Sequence, residues 1–479
     1  MKKRTKIIAT LGPASTNGNK IEKMLHAGVD VFRINLSHAS IQDAKKIINL
    51  VRDKENKVGR PVAVMLDLQG QKVRIRGFKN KSFIKLKSGD KFVINPLLKD
   101  NGNQNQVGIT YQDLYKNVNI GDELLLSDAL IKLRVDEIKA KKIHTTVERG
   151  GQLKTYQGLN KKGGGLSLSG ITTKDKADLK ASLELEYDYI AVSFVKDDKD
   201  IQEIKKIIKN KDIRVIAKIE RNEALKNIDK ITKISDGLLV ARGDLGVEIG
   251  IEQLPAAQKF LIRKAISADK IAIVATQMME SMITNRVPTR AEVFDVANAV
   301  TSGVDAIMFS AETAIGKFPA EVISEASRIC VESEHAYIRP LSVDRVVPKT
   351  LPVNQVIALS AVYSAKLTKV IAIAALTETG STALWMSRVQ SNVPIYAMTQ
   401  NKRTGRRICL YKGVQSIYLD KLESNHAQAN LQVINLMKEI GTVKKGDLVI
   451  ITKGDLLGTS GGTNAMKVVE VGNMIEINE

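Results

Sequence analysis

The sequence predicts an α/β protein: a (β/α)8 TIM barrel, a small β-barrel domain inserted into it, and a C-terminal open α/β domain. Three observations predict this. Eight short apolar runs alternate with helical patterns over the first two thirds of the chain. Between the third and fourth runs lie over a hundred residues of a different, alternating pattern. A new strand–helix alternation starts near residue 340.

The eight runs are "TKIIATLG" (5–12), "VFRINLSH" (31–38), "PVAVMLDL" (61–68), "YIAVSF" (189–194), "RVIAKIE" (214–220), "DGLLVARGDLG" (236–246), "IAIVATQM" (271–278) and "DAIMFSAET" (305–313). Near-continuous apolar runs suit strands buried on both faces of a parallel sheet. Between them, Ile41, Ala44, Ile47, Ile48 and Val51 follow helical spacing, as do Ile201, Ile204, Ile207 and Ile208. Ser40 is placed to cap the first of these helices, and Gly303 to end the helix built on Val293, Val296, Ala297 and Val300. The interruption contains "KSFIKLKSGDKFVI", "GDELLLSDALIKLRVDEI" and "KIHTTVERGGQL", alternating strands with Gly-Asp turns. The loop "LNKKGGGLSLSG" returns the chain to the barrel. Later come "KVIAIAAL", "PIYAMTQ", "VQSIYL" and "GDLVIIT", the strands of a second α/β unit. The expected domains are therefore 1–73 with 172–339 (barrel), 74–171 (inserted all-β lid) and 340–479 (C-terminal α/β).

Composition narrows the function. Two cysteines, Cys330 and Cys409, give neither a disulfide framework nor a clustered zinc site. The basic start "MKKRTKIIATLGPAS" resembles a signal peptide, but Gly12-Pro13 ends its apolar run too early. No run approaches the ~18 apolar residues of a membrane span, so a cytoplasmic protein is expected. The formal charge of +21 invites a nucleic-acid reading. Aromatics at 4% leave no stacking platform, and the lysines are dispersed over what read as solvated helix faces. Anionic small substrates explain the charge better.

The C-terminal ends of the runs carry Arg33, Asn35 and Ser37; Asp67; Ser193; Lys218 and Glu220; Arg242 and Asp244; Thr276; Ser310 and Glu312. Barrel active sites sit on that face. One such polar residue is more often structural, but seven strands ending this way are not. Glu220 and Asp244, expected on adjacent strands, are hard oxygen ligands of the kind that suit Mg²⁺ with open positions. Lys218 and Glu220, two apart, face one side of a strand. A lysine and an arginine beside a metal suit a phosphoryl group in transfer. There is no GxxxxGK[ST] loop, no HExxH and no cysteine cluster.

"RTKIIATLGPAS", "RINLSH", "AKIERNEAL", "DGLLVARGDLGVEI", "ATQMMESM", "PTRAEVFDVANAV" and "AIMFSAETAIGKFP" resemble the pyruvate kinase family, and the resemblance spans the whole chain. It implies transfer of the phosphoryl group of phosphoenolpyruvate to ADP, giving pyruvate and ATP, with Mg²⁺ (or Mn²⁺) and in a homotetramer. By position, Arg33 resembles the substrate-phosphate arginine and Lys218 the lysine of the transferring group. Glu220 and Asp244 resemble the Mg²⁺ ligands, and Gly243 and Asp244 contribute to the substrate site. Thr276 resembles the threonine near the enol carbon. Asn35, Arg74 and Lys162 resemble nucleotide-side contacts. Around Lys162 the usual "KKGVNLPG" is here "KKGGGLSLSG".

The resemblance also bears on "MLDLQGQKVRIRG" (65–77). K⁺-dependent members carry Thr, Lys and Glu where this chain has Leu68, Gln69 and Lys72, and hold the ion with groups matching Asn35, Ser37 and Asp67. Lys72 is expected to replace K⁺, with its ammonium paired to Asp67, so K⁺ is not required. In the C-terminal domain, "LTETGSTAL" follows a strand and opens a helix, a phosphate cradle by backbone N–H groups and hydroxyls. Ser/Thr/Gly there equally serve as plain helix caps. The resemblance favours an effector loop of Thr377, Thr379, Gly380, Ser381 and Thr382, closed by "TKGDLLGTSGGTNAM" (452–466). Two other readings stay open: a phosphoenolpyruvate-handling barrel lyase or mutase, and a basic nucleic-acid-binding relic barrel. Nucleic acid and membrane are not expected partners.

Overall fold

A computed structural model describes residues 3–166, 170–209, 211–336, 350–389, 391–423, 425–455 and 461–473. Eight parallel strands close into a barrel: Lys6–Leu11, Val31–Asn35, Ala63–Asp67, Tyr189–Val192, Arg214–Ile219, Gly237–Ala241, Ile271–Ala275 and Ala306–Phe309. Each pairs with its neighbour in this order, and the last pairs with the first, Lys6 opposite Ala306. Because side chains alternate along a strand, each run feeds two layers. Ile8, Val31, Met65, Ile216, Leu239 and Ile273 belong to one buried cluster. Their neighbours Ile7, Phe32, Val64, Val215, Leu238 and Ala272 belong to another, shared with the surrounding helices. This double burial is why the runs read as continuously apolar.

Local chemistry sets the helix ends. Ser40 and Asp43 form a capping box for the helix Ile41–Val58, and Gly59, at φ 68°, ends it. Thr172 and Asp175 do the same for Thr173–Ser182. The helix Arg290–Thr301 stops one residue before Ser302, and Gly303 follows at φ 93°. Strand six ends earlier than its apolar run suggests. Arg242–Ile249 is helical, so Asp244 sits in the first turn of a helix and not on a strand.

The inserted segment forms a half-barrel: a six-stranded sheet with a two-stranded companion, Phe83–Leu86 with Gly151–Lys154. The chain leaves the barrel through a pinched turn. Gly70 has φ 65°, and a Cβ there would lie 2.8 Å from that of Ser193. Asp175, at the cap of the helix that resumes the barrel, accepts the Gly70 N–H at 3.2 Å. Exit and return are thereby tied together. Part of the return loop, 167–169, lies outside the described residues.

The C-terminal unit is a five-stranded sheet in the order Val414–Tyr418, Ile395–Thr399, Val370–Leu376, Leu448–Gly454, Thr463–Glu470. Four strands are parallel; the last is an antiparallel edge on Leu448–Gly454. Residues 463–466, expected in a closing loop, are therefore part of a strand. Residues 456–460 of that expected loop, and the expected boundary at 339/340, lie outside the described residues. This unit docks on the N-terminal ends of the barrel strands, away from the polar residues. Tyr189 donates its hydroxyl to the Arg407 carbonyl at 2.6 Å. Arg388 pairs with Asp305, and Arg406 with Glu55 at 3.0 Å. Among the described residues no helix is long and apolar enough to cross a membrane.

Candidate active site

At the C-terminal end of the barrel, Asp67 lies buried between two cations. Arg33 donates to its Oδ2 at 2.7 Å, and the Lys218 ammonium is 3.3 Å from its Oδ1. Ser193 donates to that same Oδ1 at 3.1 Å. Burial alone would raise the Asp67 pKa, but Lys218 and Arg33 outweigh it and hold the group below the usual carboxylate value. Lys218 also reaches Ser193 Oγ at 2.6 Å and Glu220 Oε1 at 3.1 Å. Burial pulls its pKa down; the Asp67 and Glu220 carboxylates more than reverse this, so it stays charged. Glu220 accepts the Phe194 N–H at 2.6 Å. Burial raises its pKa, with the Lys218 ammonium opposing and Asp244 reinforcing. The alternation of Lys218 and Glu220 thus puts both groups at one point, as their spacing predicts.

Asp244 arrives from the helix after strand six. The structure does not place Lys72 on Asp67: its ammonium lies 2.6 Å from Asp244 Oδ1. The physical reason is the turn at Gly70 and the saturation of Asp67 by Arg33, Lys218 and Ser193. Beyond that turn the Val73 carbonyl accepts the Leu159 N–H at 2.9 Å, which carries Lys72 across the mouth toward Asp244. Asn35 pairs with Asp67 in the strand register, and its Oδ1 accepts the Ser37 N–H at 3.1 Å. Asn35, Ser37 and Asp67 therefore lie together, but without the lysine.

Thr276 follows strand seven with φ 71°, and Gln277 and Met279 also have positive φ. Such backbone is uncommon outside glycine and concentrates at functional sites. Arg242 fixes it: its guanidinium donates to the Thr276 carbonyl at 2.6 Å, the Gln277 carbonyl at 2.9 Å and Asp295 at 2.7 Å. The Thr276 hydroxyl accepts the Gly243 N–H at 2.9 Å. Arg242 was visible in the sequence as a polar residue near a strand end, but nothing there gave it this positioning role. A second missed group holds the return loop. Gly165 N–H donates to Glu223 at 2.6 Å, Asn222 to the Gly163 carbonyl at 2.9 Å, and Gly163 N–H to the Glu248 carbonyl at 2.8 Å. The run Gly163-Gly164-Gly165 was its only sequence signal.

Two adjoining cavities open on this face. One, of about 840 Å³, lies between insert and barrel and is lined by Lys162, Gly243, Asp244 and Thr276. The other, of about 810 Å³, is lined by Arg33, Asn35, His38, Lys46 and Pro13. Ser310 and Ala311 wall both. Lys162 reaches Glu123 at 2.9 Å. Arg74 instead points into the insert, donating to the Tyr156 carbonyl at 3.1 Å, and lines neither cavity. Nothing in the sequence marks His38 or Lys46 as lining residues, and Pro13 reads there only as the end of an apolar run.

The donor set fits a hard divalent ion. Glu220 and Asp244 supply carboxylate oxygens, and each is held by an ammonium, Lys218 and Lys72, standing where positive charge is wanted. Among the described residues no cluster of three or more metal-ligating side chains occurs. In the C-terminal unit, Thr377, Thr379, Ser381 and Thr382 line one pocket of about 90 Å³ with Trp385 and Thr463. Gly380, at φ 82°, starts the helix Ser381–Arg388, and its N–H donates to Thr377 at 3.0 Å.

Buried cations at barrel strand ends, a carboxylate pair beside them and a cleft under an inserted domain define a phosphotransferase. Comparison with known proteins agrees. The family model "Pyruvate kinase, barrel domain" matches residues 2–323, and "Pyruvate kinase, alpha/beta domain" matches 355–469. Pyruvate kinase II of Salmonella typhimurium is 43% identical over 98% of this chain and 99% of its own. The pyruvate kinase of Buchnera aphidicola subsp. Acyrthosiphon pisum is 44% identical, covering 98% and 99%. That of Geobacillus stearothermophilus is 38% identical over 99% of this chain and 81% of its own. The chain belongs to the pyruvate kinase family.

Proposed function

We propose that this protein transfers the phosphoryl group of phosphoenolpyruvate to ADP. The observation that carries the reading is the Lys218 ammonium held between Glu220 and Asp67 at the cleft floor. The bond from phosphorus to the enol oxygen breaks as one forms to a β-phosphate oxygen of ADP. Arg33 and Lys218 face the charge on the moving group. The enolate left behind takes a proton at its terminal carbon to become pyruvate; Thr276 positions the water that delivers it. The Gly243 N–H, here given to Thr276, turns to the substrate carboxylate. Glu220 and Asp244 would hold Mg²⁺ or Mn²⁺, which supplies Lewis-acid neutralisation of phosphate charge. Asn35 and Lys162 approach the nucleotide from the two cavities, and Arg74 would have to turn out of the insert to join them.

The remaining properties follow the same reading. The insert, 74–171, acts as a lid that excludes water, between barrel segments 1–73 and 172–339, with 340–479 as a regulatory unit. Monovalent K⁺ is not required: buried Leu68 offers no side-chain oxygen ligand, and Arg33 and Lys218 already neutralise Asp67. A phosphorylated effector binds at Thr377, Thr379, Gly380, Ser381 and Thr382. The enzyme works as a homotetramer in the cytoplasm, and exposed apolar side chains such as Phe294, Val353, Leu367 and Val468 are surface that subunit contacts would cover.

Pyruvate release from phosphoenolpyruvate, measured with and without ADP in sodium- and potassium-free buffer containing Mg²⁺, tests the reading. ADP-dependent pyruvate is expected. Pyruvate without ADP would favour the lyase reading, and activity appearing only on adding K⁺ would remove the monovalent-cation claim. Alanine at Thr379 and Ser381 is expected to leave basal turnover and blunt activation by a sugar phosphate. An unchanged activation would move the effector elsewhere.

A further inference from the structure

The Lys72–Asp244 contact joins two things that the reaction needs to move separately. Asp244 is one of the two carboxylates offered to a divalent ion. Lys72 belongs to the root of the inserted domain, where its outgoing and returning legs cross. The Lys72 stem lies against Gly158 on the returning leg, where an added Cβ would meet its Cε at 2.9 Å. The legs pair on either side of it: Leu159 N–H donates to the Val73 carbonyl and Ile75 N–H to the Gln157 carbonyl, both at 2.9 Å. Any rotation of the insert about its root therefore carries Lys72 with it.

The two ammonium–carboxylate pairs of the site differ in kind. Lys218 is 8% exposed and is held by Asp67 and Ser193 as well as Glu220, so it stays when Glu220 takes another partner. The side chains of Lys72 and Asp244 are each 22% exposed, and Asp244 is the partner of Lys72 at 2.6 Å. A hydrated ion can reach this pair, and an ammonium this close cannot share the carboxylate with a dication without strong repulsion. The helix carrying Asp244 is tied to the insert a second time, through the Glu248 carbonyl and Gly163 N–H at 2.8 Å. That link joins backbone to backbone and offers no carboxylate to a metal, so it can serve as a pivot.

We propose that Lys72 is a built-in stand-in for the divalent ion: its ammonium holds Asp244 in the metal-free enzyme, and metal binding expels it, unfastening the root of the inserted domain. Metal loading and lid movement are then one linked equilibrium, and each biases the other. The inference rests on Glu220 and Asp244 being the metal ligands.

The test is Mn²⁺ binding to the full chain without substrates, followed by the electron paramagnetic resonance signal of free Mn²⁺. Lys72→Met is expected to bind Mn²⁺ about tenfold more tightly than wild type, since it removes both a competitor and a nearby like charge. Lys72→Arg keeps the charge and is expected to stay near wild type. In hydrogen–deuterium exchange, Mn²⁺ is expected to speed exchange in segments 72–78 and 156–161 of the wild type. In Lys72→Met these segments are expected to exchange fast without metal and to ignore it. Asp244→Asn separates the two layers of argument. If it binds Mn²⁺ like wild type, the ligand assignment fails and the proposal with it. If it loses Mn²⁺ while Lys72→Met binds no more tightly than wild type, the ligand assignment stands and the stand-in role is overturned. Wild-type exchange that is indifferent to Mn²⁺ overturns the link to the lid.

Discussion

Replacing Lys218 with methionine keeps much of the stem and removes the ammonium at the centre of the site. The structural cost comes first. Breaking a buried ion pair by removing one partner costs ~3–5 kcal/mol. Here the orphaned groups retain other partners: Asp67 keeps Arg33 at 2.7 Å and Ser193 at 3.1 Å, and Glu220 keeps the Phe194 N–H at 2.6 Å. Glu220, whose pKa burial already raises, can also take up a proton. The loss should therefore sit at the low end, about 3 kcal/mol, against a typical domain stability of ~5–15 kcal/mol. At 25 °C the variant remains folded, which circular dichroism and a urea midpoint would check. The catalytic cost is separate. Loss of a preorganised group facing developing charge lowers turnover by about 10²–10³ or more. Pyruvate formation coupled to lactate dehydrogenase, at saturating phosphoenolpyruvate and ADP, reads it directly. Ser193→Ala serves as the graded control. It removes the 2.6 Å hydrogen bond that orients Lys218, worth about 1.5–3 kcal/mol for a charged donor, together with the 3.1 Å bond to Asp67, and should fall between wild type and Lys218→Met. A folded Lys218→Met enzyme turning over within tenfold of wild type would refute the assignment of this lysine.

Other expectations rest on different residues. Burial raises the Glu248 carboxyl from 4.5 to about 7, so between those values the unfolded chain binds fewer protons than the folded one. Stability from this group is therefore lost as pH rises from about 4.5 to about 7, by about 3 kcal/mol at ~1.4 kcal/mol per pH unit. Glu248→Gln should remove that slope in thermal melts and be the more stable form at pH 8; an unchanged slope would show the carboxyl is not the cause. Gly70→Ala forces a Cβ to 2.8 Å from Ser193 Cβ at φ 65°, so it should destabilise by ~1–3 kcal/mol and lower turnover by displacing Ser193 from Lys218. A silent substitution, by urea titration and assay, would mean the turn relaxes freely. Burial lifts both thiols, Cys330 and Cys409, to about 12, so neither should react with a disulfide reagent at pH 8 until the protein is unfolded.

Much of the architecture was legible because it depends on periods a few residues long. Strand alternation and helical spacing exposed eight barrel strands, and Ser40 marked a helix start. The same short period put Lys218 and Glu220 on one side of one strand, 3.1 Å apart at their charged atoms. Where local patterns compete, the sequence was ambiguous. "LLVARGDLG" is apolar enough to read as one strand throughout, yet the chain turns into a helix at Arg242, because the barrel needs only five residues of it. The edge strand Thr463–Glu470 was hidden by the Gly-rich stretch before it.

The partner of Lys72 was beyond any local pattern. Asp67 is five residues away and Asp244 is 172, so proximity in sequence pointed to the wrong carboxylate. Barrel closure had already surrounded Asp67 with Arg33 and Lys218 from two other strands and Ser193 from just past a third. The turn at Gly70 and the pairing of Val73 with Leu159 then aimed the ammonium outward. Sequence alone determined which chemical groups stand at the strand ends, since alternation is a property of each strand by itself. Which cation meets which carboxylate was decided only by tertiary structure, since a charge pairs with whatever the closed fold brings within about 3 Å.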